Sequence, residues 1–261
     1  MTNLIKMDMR RLLHAKVFLV SLIIIGGLNI LVQAGAPLMA HYLMPDQAEV
    51  QQNLSQLIAT PFSTPIHWVV MFISVVSFSY ADMANGFVKN IAGQISRKSD
   101  TVVSKFIIVG IHNLILMLFS SLVSIAATLV PVGMDMETFV VDGQLGAAIP
   151  TFLLKWMLSM AICAILVFFT TAVKNKTVAT IAAVCLGTGA IGGLYFVMNM
   201  AAKNFLHLNN FDLSNFVPDQ LISTVSVGEH QLVLNAILVA LVWSAAFIIL
   251  TVKLFNARDI K

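Results

Sequence analysis

The sequence predicts an all-α integral membrane protein with six transmembrane helices and both termini cytoplasmic. Three observations carry this. Hydrophobic residues make up 59% of the 261-residue chain and charged ones 10%, against about 45–50% and about 25% in soluble domains. The mean hydropathy is +0.91, more apolar surface than a soluble core of this size can hide, so lipid is part of the solvent. The apolar residues lie in long unbroken runs, unlike the alternating segments of about ten residues in a transmembrane barrel. A disulfide scaffold and a disordered tail are excluded by the same composition. The pI of 8.9 comes from basic residues spread through short loops, with no clustered patch, so no nucleic acid partner is expected.

The chain reads as one transmembrane domain, 1–261. In residues 1–16, Leu4, Ile5, Met9, Leu12 and Leu13 recur at helical spacing, while Lys6, Arg10, Arg11 and His14 fall mostly on another face. This predicts an amphipathic helix in the cytoplasmic interface, or a simple basic anchor. The first span is 17–38. Its end, Ala34-Gly35-Ala36, imitates a signal cleavage site, but the apolar run exceeds the 7–15 residues of a signal peptide. The second span, 64–80, is the shortest; a start near Ile58 would put Pro61 and Pro65 in its first turns.

Residues 82–100 follow on the cytoplasmic side. Phe87, Ile91 and Ile95 share one helix face. An exposed apolar stripe on such a loop wants a partner, or lies back on the membrane.

The third span, 106–132, contains His112 beside Asn113, read as a neutral, hydrogen-bonded packing residue. The fourth, 150–173, contains Lys155. Five residues past Pro150 is about 7–8 Å along a helix, so this side chain is expected to snorkel outward. Cys163 and Cys185 lie in apolar runs and read as packing residues. The fifth span is 178–200. Its Gly187-Thr-Gly189-Ala-Ile-Gly192 matches a dinucleotide fingerprint but has no preceding strand. Gly189 and Gly193 form a G-x-x-x-G step for close helix packing, within the chain or at a dimer interface. Residues 201–231 form an apolar outer segment broken by Pro218, expected to re-enter the outer leaflet or cap the bundle. The sixth span is 232–254.

Orientation follows the positive-inside rule. Lys6, Arg10, Arg11, Lys16, Lys89, Arg97, Lys98, Lys105, Lys174, Lys176, Lys253, Arg258 and Lys261 share the side of the termini, thirteen of the 15 Lys and Arg. Lys155 and Lys203 remain for the other side. No Walker A, H-E-x-x-H or C-x-x-C sequence occurs, so this chain itself is expected to bind no ATP, cofactor or metal. An intramembrane enzyme lacks its paired acids, His cluster or deep nucleophile.

The layout resembles the permease subunits of ABC-2-type ABC exporters over the whole chain. Members often carry an acidic residue, then G-x-x-K-N, then a basic pair before the third span. Asp82, Gly86, Lys89-Asn90, Arg97-Lys98 and Lys105 occupy those places here. The resemblance implies a permease paired with itself or a paralogue and docked on two copies of an ATP-binding subunit, which would hold ATP and Mg. The coupling contact would be Asp82, Gly86, Phe87, Lys89, Asn90, Ile91, Ile95, Arg97 and Lys98, with Lys174 and Lys176 a minor contact. Similar permeases of this length sit in the bacterial plasma membrane and export bacteriocins, lantibiotics or other amphipathic peptides; a lipid-like substrate is the other option. No motif matches a substrate-binding residue. The alternative class is an ATP-independent channel, carrier or toxin-binding immunity protein.

Overall fold

The computed structural model describes residues 2–35, 38–39, 52–84, 99–132, 139–141, 143–206, 212–226 and 230–257. These are almost wholly helical. In chain order they form α1 (Thr2–Leu13), α2 (Lys16–Ile30), α3 (Leu54–Ala59), α4 (Pro65–Ala84), α5 (Ser99–Val132), α6 (Leu145–Val173), α7 (Lys176–Thr188), α8 (Gly192–Leu206), α9 (Pro218–Thr224) and α10 (His230–Ala257). A π-helical turn, Leu31–Gly35, continues α2, and a 3₁₀ turn, Leu213–Phe216, precedes α9. Gln52–Asn53 and Phe139–Val140 make a two-residue parallel pairing.

Four stretches are long and apolar enough to cross a membrane: Lys16–Gly35, Ser99–Val130, Leu145–Val173 and Val233–Ala257. The α7–α8 pair makes a fifth if its halves form one span, and α4 is apolar over the shorter stretch Pro65–Ala81. The chain is therefore a multi-pass helical membrane protein.

Helix α6 is central. Its apolar stretch is 72% buried within the chain, against 17% for α10. It packs on α3, α4, α5, α7, α9 and α10. Leu158, Ile162 and Leu166 are fully enclosed, together with Met71 and Phe72 of α4 and Leu116 and Met117 of α5. Large apolar side chains on α10, such as Leu234, Leu241 and Val242, are more than half exposed, as lipid-facing residues can be.

Between these helices apolar packing gains little from lipid exclusion, so polar side chains and close approaches tie them together. Asn29 of α2 donates to Ser120 Oγ of α5 at 2.7 Å. Ser120 in turn donates to the Pro61 carbonyl. Asn113 donates to Cys163 Sγ of α6 at 3.0 Å, and the Trp156 indole donates to the Gly110 carbonyl at 3.1 Å. His112 is 1% exposed, with Ser74 Oγ at 3.0 Å from Nε2; it is the hydrogen-bonded packing residue the sequence suggests. At Gly187 a Cβ would stand 2.8 Å from Val69 backbone atoms, so α7 and α4 touch backbone to backbone there.

Several boundaries differ from the sequence expectation. Pro65 is the first residue of α4, where its missing N–H costs nothing, so the alternative start near Ile58 gives way to the separate helix α3. Helices α5, α6 and α10 extend several residues beyond the spans 106–132, 150–173 and 232–254. The continuous fifth helix over 178–200 is replaced by α7 and α8, bent by 71°. Gly189 takes a left-handed φ of 70° and ends α7. The Ala190 N–H returns to the Cys185 carbonyl at 3.1 Å, the closure of a glycine-terminated helix.

Candidate functional site

Two regions carry charge in unusual settings, at the two ends of the helices. The first gathers the second half of α1, the start of α5 and the end of α4. One face of α1 docks on α5: Leu12 is 1% exposed, and Ile5 and Met9 pack against the core. Asp8, 6% exposed, accepts from Ser104 Oγ at 2.8 Å and from Arg11 at 3.3 Å. Beside it, Lys105 Nζ donates to the Ser79 carbonyl at 3.1 Å. Helix α1 is thus amphipathic as expected, with its polar Asp8 turned inward as a clamp.

Along the chain, the sequence-expected coupling residues run from the end of α4 to the start of α5, with the minor contact at the α6–α7 turn. Asp82 lies on the last turn of α4. Gly86, Phe87, Lys89, Asn90, Ile91, Ile95, Arg97 and Lys98 lie outside the described residues. Lys174 and Lys176 form the tight α6–α7 turn and are exposed. Lys174 takes a left-handed φ of 53°, and the Asn175 side chain caps α7 by accepting from the Thr177 N–H at 2.9 Å.

The second region is built by the α3–α4 connection, the first half of α6, the α7–α8 bend and α9. Two cavities adjoin there, of about 380 Å³ and about 490 Å³. Thr60, Ser63, Lys155 and Ser223 line both. The smaller one also meets Trp68, Phe72, Ile162 and Asp219; the larger one meets Gln33, on the π-helical turn of α2. Single π turns are rare and often stand at functional sites, and here one carries the buried Gln33 at the cavity wall.

Lys155 is 5% exposed. Its snorkelling expectation is corrected: the ammonium turns into the cavities, and Thr60 Oγ1 stands 3.5 Å away. Helix α6 starts at Leu145, so Lys155 lies ten residues, or about 15 Å, along it. From there the side chain cannot reach the helix end.

Helix α9 closes the other wall. Its Pro218, Asp219, Leu221 and Ile222 are buried. Asp219 accepts from the Tyr195 hydroxyl at 3.3 Å and from Gln220 Nε2 at 3.4 Å. Burial pushes its carboxyl up from the ordinary carboxylate range, more than those donors pull it down. Asp212, on the exposed approach to α9, moves the other way. Its carboxylate accepts from the Ser214 hydroxyl and N–H and from Asn199, which hold its pKa low. Trp243 and Asn235 of α10 donate to the Phe216 and Asn215 carbonyls at 2.9 and 2.6 Å, so the segment is held from α8 and α10 together.

The G-x-x-x-G step is not a packing seam within the chain. Gly189 ends one helix and Gly193 is the second residue of the next, and a Cβ at either meets nothing within 4 Å among the described residues. The close approach belongs to Gly187, two residues earlier. Among the described residues no cluster of His, Cys, Asp or Glu could hold a metal.

No protein-family model matches the chain, and no curated protein matches it.

Proposed function

We propose that this chain is the membrane-spanning subunit of an ATP-driven ABC-2-type exporter. It pairs with a second permease and with two ATP-binding subunits that hold ATP and Mg, in a bacterial plasma membrane, with both termini cytoplasmic. The cargo is an amphipathic molecule, in first place a peptide. The single observation that carries the reading is the charged 82–100 segment. It joins an acidic residue, G-x-x-K-N, a basic pair and an apolar stripe on the side bearing thirteen of the 15 Lys and Arg.

The geometry at that end suits a lever. Helices α4 and α5 flank the segment, and Lys105–Ser79 and Asp8–Ser104 tie them to each other and to α1. A push on the segment would thus move a clamped group of helices rather than one loop. Closure of the ATP-binding pair would tilt the spans, and cargo would leave between the two permeases by rigid-body alternating access. The test is Lys89→Glu combined with Arg97→Glu. The reading expects loss of ATPase co-purification and of export, with the permease still in the membrane. Wild-type export in that double variant would sink it.

One observation favours a second reading, an ATP-independent carrier. A broken helix pair beside a buried lysine is the usual furniture of secondary-transporter sites. ATP-dependent transport that survives an ionophore separates the two.

A further inference from the structure

We propose that the cavity over Lys155 binds the anionic head of an amphiphile, a carboxylate or a phosphate, with the apolar wall beneath it taking the first part of the tail. The inference stands on this end of the bundle and holds for either reading above.

A buried ammonium is costly unless a counter-charge and further hydrogen bonds meet it. Lys155 is 5% exposed. Among the described residues it has a neutral hydroxyl at 3.5 Å, the long edge of hydrogen-bond range, and no ion pair. Asp219 lines the same cavity, but its oxygens are engaged by Tyr195 and Gln220. The site therefore keeps a cation facing open volume. That volume, about 380 Å³ beside about 490 Å³, falls in the range of small-molecule sites.

The walls are divided in character. Thr60 and Ser63 line both cavities with the ammonium, and their hydroxyls can donate to an anion's remaining oxygens, while the Ser223 hydroxyl beside them donates to the Gln220 carbonyl at 2.7 Å. Below them Trp68, Phe72 and Ile162 are apolar. A charged head with a hydrocarbon tail matches both parts; a free inorganic anion matches only one. The carboxyl of Asp219 sets a limit on the ligand, because a second negative charge near it would be repelled. A singly charged head is favoured.

Trp68 supplies the readout. The purified chain in a neutral detergent is titrated with dibrominated stearate, brominated phosphatidylglycerol and, as the uncharged control, dibrominated stearyl alcohol. The expected result is saturable quenching by at least one of the two anions, lost in Trp68→Phe and absent with the alcohol. Quenching by stearate alone assigns a carboxylate; quenching by the phospholipid alone assigns a lipid phosphate. Lys155→Met weakens binding at least about tenfold, and Lys155→Arg restores it. Asp219→Asn binds as well or tighter.

Ser223→Glu covers the case in which Lys155→Met does not fold. Ser223 is exposed and lines both cavities, so its carboxylate would occupy the ammonium and abolish binding. Equal quenching by alcohol and anions, no binding of either anion, or wild-type affinity in Ser223→Glu overturns the proposal.

Discussion

The two ends of the bundle each bury charge, and they treat it differently. At one end Asp8 accepts from Ser104 and Arg11, and the group is closed. At the other, Lys155 faces two cavities with one distant hydroxyl among the described residues. A buried charge with its partners in place is a fastening. One that faces open volume costs the fold stability, and such a cost is found where a ligand can offset it. The closed end holds α1, α4 and α5 together next to the proposed coupling segment. The open end is bordered by the bent α7–α8 pair and the short helix α9.

Substitutions can break this comparison. The largest stability effect is expected at Gly187→Ala, where the new Cβ would meet Val69 backbone at 2.8 Å. The helices must separate, lowering stability by up to about 3 kcal/mol, as overpacking does. Thermal unfolding in detergent reads this. An unchanged midpoint would mean that α4 and α7 do not touch there.

Next come the two charges. Asp8→Ala leaves the Ser104 hydroxyl and the Arg11 guanidinium without their carboxylate and should cost about 1–2 kcal/mol. Lys155→Met, in lipid-stripped protein, should raise the midpoint, because an unmatched buried cation gives way to an apolar chain of similar length. Equal losses at both sites would erase the distinction between the ends.

The bend supplies a smaller pair. Gly189→Ala places a side chain at φ 70° and should cost about 1 kcal/mol. Gly193→Ala meets open space inside α8 and should be neutral or stabilise by a few tenths. Equal costs at both would argue for a continuous, closely packed fifth helix.

The smallest effect is in pH. The Asp219 carboxyl is raised by burial. Its protonated form is favoured in the folded state, so its contribution is present at low pH and fades as pH rises through the folded value. Asp219→Asn should remove that decline. The Asp212 carboxylate is lowered by Ser214 and Asn199. Its contribution is present above the ordinary carboxylate range and is lost as pH falls, an effect kept small by its exposure. The same slope from both would contradict the burial of α9.

Much of this architecture can be read from composition, because a membrane span is a matter of length and hydropathy. The spans at 17–38, 106–132, 150–173 and 232–254 each fall within, or close to, a long apolar helical stretch. The amphipathic spacing of Leu4, Ile5, Met9 and Leu12 likewise reports the inward face of α1, whereas Leu13, expected on the same face, is 48% exposed. The break at Gly189 is hidden because apolar residues continue through it, and hydropathy is blind to φ. Four glycines within seven residues, Gly187, Gly189, Gly192 and Gly193, are the local sign of a helix end as much as of a seam. Lys155 is hidden for another reason. Where α6 begins sets how far its ammonium must travel, and Leu145 cannot be chosen over Pro150 by composition. The cavities around it are made by residues from the π-helical turn of α2 to α9, far apart in sequence. Of the proposed coupling residues, the pattern alone speaks for Gly86–Lys98.

The most direct test is purification of the native complex in a mild detergent, followed by native mass spectrometry. The exporter account predicts two permease chains with two ATP-binding subunits, the latter lost when residues 86–95 are altered. A chain that emerges alone from repeated mild preparations would contradict it and leave a stand-alone carrier, channel or immunity protein.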